Sequence, residues 1–123
     1  MKQMLQNQRM VQMVEQLRPI LSSRSKIGYI AARNTRMLTD QLVEYEQVRK
    51  DLFNQYGAED VDENGTPVIQ IKMGTPEFQS FTDALAPFNV IEHEVELMTA
   101  KYDDVIGILS GEEILSIDWM LED

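Results

Sequence analysis

Between Ser25 and Tyr56 the chain carries no proline, and no glycine after Gly28, so nothing in the composition of this stretch breaks a helix. Ile27, Ala31, Leu38, Tyr45, Val48 and Leu52 recur along it in three- and four-residue steps and share one helical face. A single helix over this segment is about 45 Å long at 1.5 Å per residue, longer than a small core covers. Its apolar stripe therefore needs the first helix, the C-terminal elements or a second copy of the chain to bury it, and homo-oligomerisation through this helix is one expectation. Asn34 and Gln41 fall on the same stripe, where a polar residue either fixes register at a cost in stability or sits at a wet edge.

The other segments are arranged around that helix. From Gln3 to Leu17, the residues Met10, Met13, Val14 and Leu17 share a helical face and predict an amphipathic first helix. Its methionines suit core packing, with an adaptable docking surface as the alternative. Pro19 disfavours helical geometry at Arg18, ending that helix near Leu17 and turning the chain through Ser22 and Ser23. Asn64-Gly65 predicts a hairpin turn leading into a strand over Val68–Met73. Thr75, Pro76 and Glu77 open a short helix that carries Phe78, Phe81 and Leu85, and Pro87 is expected to stop it. Over Val90–Thr99, Ile91, Val95 and Leu97 alternate with Glu92, Glu94 and Glu96, the signature of a half-buried strand. That strand is expected to pair antiparallel with Val68–Met73. Ser110 and Glu113 form a capping box for a last helix, whose Trp119 is expected to dock onto the long helix or, alternatively, to anchor an interface. The fold class is α+β and predominantly α: a first helix, one long central helix, a small antiparallel hairpin or sheet with a short inserted helix, and a C-terminal helix.

At 123 residues and 43% hydrophobic, the chain predicts one domain, 1–123, with a basic helical arm over 1–56 and an acidic α/β part over 57–123. Residues 1–50 hold nine Lys and Arg against four Asp and Glu, a surplus of +5; residues 51–123 hold two against seventeen, or −15. Such asymmetry implies either a bipolar surface or two halves that neutralise each other by packing. With no cysteine and one histidine, disulfide frameworks, thiolate metal sites and multi-histidine cages are excluded. No cofactor is expected. No apolar run approaches the roughly 18 residues of a membrane span and the first residues do not pattern as a signal peptide, so a cytoplasmic protein with no membrane partner is expected.

Four features have chemistry to test. Glu92, Glu94 and Glu96 repeat at about 6.6 Å along a strand, a pitch on the order of that between successive phosphates of one nucleic-acid strand. With Asp103 and Asp104 they predict an acidic face able to occupy the basic channel of a nucleic-acid enzyme, against the plainer reading of a solvated sheet face that discourages edge pairing. Arg24, Lys26, Arg33 and Arg36 cluster on the far side of the long helix and could hold phosphates, although Asp40 and Glu44 offer local pairing. Asp60, Asp62, Asn64 and Gly65 reproduce the first half of a calcium loop, but Ile71 stands where the bidentate carboxylate belongs, so a turn is expected. His93 lies on the apolar side of its strand without a nucleophile or acid in pattern. No catalytic residue is assigned, and a non-enzymatic protein is expected.

Tyr45-Glu46-Gln47-Val48-Arg49-Lys50-Asp51-Leu52, Tyr56-Gly57, the Asp62-Glu63-Asn64-Gly65 turn, a Phe-containing helix, the Glu92-His93-Glu94-Val95-Glu96-Leu97 strand and the acidic last helix together resemble a family of small uncharacterised proteins of phages and prophages of Gram-positive bacteria. The resemblance covers most of the chain beyond about Ser25 and carries over no catalytic residue. It implies a phage-encoded accessory protein in the host cytoplasm. Together with the acidic C-terminal half and the absence of catalytic chemistry, this gives the expectation of a factor that binds a host protein, with inhibition of a nucleic-acid-handling or defence enzyme (of the anti-CRISPR or anti-restriction type) as one form of that role. The alternatives are a nucleic-acid-binding protein using the basic face, and a self-assembling scaffold built on the long helix.

Overall fold

A computed structural model describes residues 1–123. In chain order the elements are β1 (Lys2–Gln6), α1 (Asn7–Leu17), a 3-10 turn (Arg18–Ser22), α2 (Lys26–Gln41), α3 (Val43–Tyr56), β2 (Ala58–Val61), β3 (Pro67–Gln70), α4 (Pro76–Asn89), β4 (Glu92–Glu96), β5 (Ala100–Lys101), a 3-10 turn (Tyr102–Asp104), α5 (Gly111–Ser116), a 3-10 turn (Asp118–Met120) and β6 (Leu121–Glu122). With 59% helix and 18% strand, the chain is a predominantly helical α+β protein. It divides into two compact units, one of Met1–Leu42 with Glu92–Asp123, the other of Val43–Ile91.

The expected long helix is two helices. Thr39 donates its hydroxyl back to the carbonyls of Thr35 (2.9 Å) and Arg36 (3.1 Å), a form of bonding that bends helices. The Leu42 amide then bonds the Thr39 carbonyl, tightening the last turn, and Leu42 leaves helical geometry at φ −94°, ψ 0°. Neither proline nor glycine marks this break, so a pattern of apolar spacing passes over it.

In the first unit, Met10, Met13 and Leu17 of α1 and Ile27, Ile30, Ala31 and Leu38 of α2 are all buried where the two helices pack, and Val105, Ile117 and Met120 of the C-terminal segment are buried in the same unit. The methionines of α1 are core residues. Gly28 in the first turn of α2 is required by a close approach, since a Cβ there would stand 1.9 Å from the Ser23 carbonyl oxygen. Gln3–Gln6, expected as the start of the first helix, instead belong to β1, and β4 pairs antiparallel with it rather than with the strand after the Asn-Gly turn. Asn34, wholly buried on α2, donates to the Met98 carbonyl at 2.9 Å and accepts from the Met98 amide at 2.8 Å, fixing the chain just beyond β4. The Trp119 indole donates to Gln16 of α1 at 2.8 Å, where docking onto the long helix was expected; it is Met120, through its sulfur, that meets Asn34 of α2. The short strands β5 and β6 pair in parallel.

In the second unit, α3 lies against α4, with the Phe53 and Phe81 rings edge to face at 6.0 Å and the Tyr45 hydroxyl donating to Asn89 at 2.6 Å. Thr75 caps α4 by accepting from the Phe78 amide. Pro87 does not stop this helix at Leu85: in the final turn a proline forfeits one hydrogen bond, and the helix continues to Asn89. Strands β2 and β3 form the antiparallel hairpin around Gly65, which sits at φ 77°.

Candidate functional site

The ribbon of β1 and β4 builds the site. Its register sets Lys2 opposite Glu96, Met4 opposite Glu94 and Gln6 opposite Glu92. Along β4, Glu92, Glu94 and Glu96 are exposed, whereas His93 is half-buried and Val95 buried, as period-two alternation requires. The three carboxylates therefore stand in a row on the open face. Lys2 reaches Glu94 at 3.5 Å and the Met1 ammonium reaches Glu96 at 3.8 Å, while Glu92 makes no ion pair. Exposed pairs of this kind are worth about 0–1 kcal/mol, so they trim the negative potential of the face without removing it. Met4, 56% exposed, adds an apolar spot opposite Glu94.

Between β4 and the end of α2 runs a shallow groove of about 190 Å³, lined by Met37, Asp40, Gln41, Glu94, Val95 and Glu96. Asp40 thus brings a further carboxylate to the row. The sequence offered Asp40 only as a local partner for Arg36 and gave Met37 no role, because nothing in it pairs the end of α2 with a strand more than fifty residues later.

Asp103 and Asp104 occupy the 3-10 turn after β5. Asp104 is committed locally: it accepts from the Lys101 amide at 3.2 Å and pairs with Lys26 at 3.6 Å. Asp103 is exposed. One cation of the predicted basic face is thus held by one carboxylate of the predicted acidic set. The remaining cations are free: Arg24, Arg33 and Arg36 are exposed and make no ion pair, and the pairing of Arg36 with Asp40 that their spacing offers is not formed. Lys26, Tyr29, Arg33 and Arg36 follow one exposed face of α2, with the Tyr29 ring 63% exposed among them.

The Asp60–Gly65 segment folds as a turn whose carboxylates serve backbone amides. Asp62 accepts from Asn64 and Thr66, both at 2.9 Å, and Asp60 accepts from Val61 at 2.8 Å. A concavity of about 500 Å³ lies in the same unit between Tyr56, Asp60, Gln70, Lys72, Thr75 and Glu77. Two of its polar groups serve the backbone: the Thr75 hydroxyl donates to the Lys72 carbonyl and accepts from the Phe78 amide, and Asp60 is held as above.

No group of three or more His, Cys, Asp and Glu side chains is arranged to hold a metal ion, and no helix is long and apolar enough to cross a membrane. No protein-family model, curated protein or solved structure matches this chain.

Proposed function

We propose that this protein is a non-enzymatic accessory factor that acts by binding another protein through the acidic face of its β1–β4 ribbon. The observation that carries this reading is the row of Glu92, Glu94 and Glu96, exposed on one side of a strand whose other side is anchored in the core, with a single lysine side chain set against it. A rigid row of carboxylates is complementary to a basic surface, and at about 6.6 Å it suits a surface built to hold a phosphate backbone. The partner in this account is a host protein that handles nucleic acid, inhibited by occupation of its basic channel, in a bacterial cytoplasm where a phage-like accessory protein would work. The test is affinity capture from nuclease-treated bacterial lysate, followed by elution with duplex DNA. A captured protein that DNA displaces supports the reading; one that DNA leaves in place removes the channel.

A second reading rests on the unpaired Arg24, Arg33 and Arg36 beside the exposed Tyr29 of α2, which together suit contact with nucleic acid. It predicts retention on nucleic acid that falls steeply with salt and is lost on Arg33→Glu with Arg36→Glu, a change that leaves the acidic ribbon intact.

A further inference from the structure

The backbone of the same ribbon has a directional property that its charge does not describe. Met1 and Leu97 exchange both hydrogen bonds, amide to carbonyl at 2.8 Å and ammonium to carbonyl at 2.7 Å, and so form a bonded pair. Antiparallel pairing alternates from there, which makes Gln3–Val95 and Leu5–His93 bonded pairs and leaves Lys2–Glu96, Met4–Glu94 and Gln6–Glu92 as the pairs whose amides and carbonyls turn outward. Glu92, Glu94 and Glu96 therefore show carboxylates on the open face and unpaired backbone groups along the outer edge of β4. No other strand covers this edge, because the sheet contains only β1 and β4. Alongside it lies the groove floored by Met37 and Gln41.

We propose that the outer edge of β4 accepts a third strand, an extended segment of a partner protein with basic residues at alternate positions. This rests on the reading of the ribbon as the binding face and names the form the partner takes there. Edge addition supplies main-chain hydrogen bonds, and pockets for alternate side chains supply selectivity. Here one set of side chains falls beside Glu92, Glu94 and Glu96, at the close range of cross-strand neighbours, where cations are favoured. The other set falls toward the groove and meets Met37, where small apolar residues fit. A second copy of β4 is excluded from the edge by its own charge, since pairing β4 with β4 sets glutamates against glutamates. The carboxylates that attract a basic strand also keep the edge from pairing with itself.

The probe is a short capped peptide alternating lysine and valine, fluorescently labelled and titrated into the whole protein, with a peptide of equal composition and grouped lysines beside it. Strand addition predicts that the alternating peptide binds at least about tenfold more tightly. It also predicts that N-methylating one alternate set of its amides abolishes binding, while methylating the other set leaves it within about twofold. Equal binding of the two peptides, or equal loss from both methylation patterns, overturns strand addition while leaving an electrostatic surface. The variant combining Glu92→Gln, Glu94→Gln and Glu96→Gln separates the two layers. Unchanged binding by that variant, with an unchanged thermal melt, removes the acidic face itself from the account.

Discussion

Asn34 and Met98 are held together by both polar atoms of the asparagine amide, the Nδ2 donating to the Met98 carbonyl and the Oδ1 accepting from the Met98 amide, across sixty-four residues of sequence. The Asn34 side chain is wholly buried, so these bonds satisfy an amide that water does not reach. It fixes where the chain goes immediately after β4, and with it the plane of the acidic row.

Replacing Asn34 with leucine keeps most of the volume and removes both bonds to the backbone of Met98. Met98 is exposed enough for water to reach its backbone, so each lost bond costs about 1 kcal/mol. The expected outcome is a lower urea midpoint with an unchanged slope, and loss of amide hydrogen-exchange protection concentrated in β4 and the residues after it. Uniform loss of protection throughout the unit would show that Asn34 supports the core generally and has no particular hold on the ribbon.

Glycine-to-alanine changes should have opposite signs at two helix starts. At Gly28 a methyl meets the Ser23 carbonyl oxygen at 1.9 Å, so Gly28→Ala should destabilise by about 1–3 kcal/mol despite its better helix propensity. At Gly111 a Cβ meets nothing within 4 Å, so Gly111→Ala should be neutral or stabilising by a few tenths of a kcal/mol. Thermal unfolding of the two variants reads the difference directly.

Asp104 acts as a local brace in this account. Asp104→Ala removes the acceptor of the Lys101 amide and should cost about 1 kcal/mol. Lys26→Ala removes only its largely exposed ion-pair partner and should cost under about 0.5 kcal/mol. Equal losses would mean that the ion pair, and not the capping bond, is what Asp104 contributes.

Two tyrosines make stability fall in alkali. The bond that the Tyr102 hydroxyl donates to Asp118, with desolvation and the charges of Asp118 and Asp123, holds that phenol above its ordinary range. Burial, offset in part by Arg49, does the same for Tyr45. A raised folded value means the unfolded chain ionises first as pH climbs. The stability these groups contribute is therefore complete below about pH 10 and is lost as pH rises through the folded values. Tyr102→Phe should be less stable than the parent at neutral pH, and the gap should close as pH rises above that point, as read by denaturant midpoints at a series of pH values.

What the sequence reveals follows the range of the interactions involved. The Ser110–Glu113 capping box, the Thr75 cap, the Asn-Gly hairpin turn and the alternation that exposes Glu92, Glu94 and Glu96 involve residues a few positions apart, and all are visible in the chain. The break at Leu42 escapes because its cause is the Thr39 hydroxyl bonding to carbonyls behind it, which an apolar repeat does not register. The spacing assigns Gln3–Gln6 to the first helix because a five-residue strand is too short to overrule the helical repeat that follows it. With β1 unrecognised, β4 had only the hairpin strand left to pair with. The spare signal was in the burial-compatible alternation of Gln3 and Leu5 against Lys2 and Met4.

The most direct measurement compares two charge-reversed variants that change net charge by the same amount: Glu92→Lys with Glu94→Lys and Glu96→Lys on the ribbon, and Glu59→Lys with Glu63→Lys and Glu77→Lys at exposed positions of the other unit. Both are assayed by quantitative capture of the protein partner from nuclease-treated lysate, after thermal melts confirm folding. The account predicts that the ribbon variant loses the partner that the parent chain captures, while the second variant retains it. Retention by the ribbon variant, or equal loss from both, would contradict the claim that the acidic row on β4 is the binding surface.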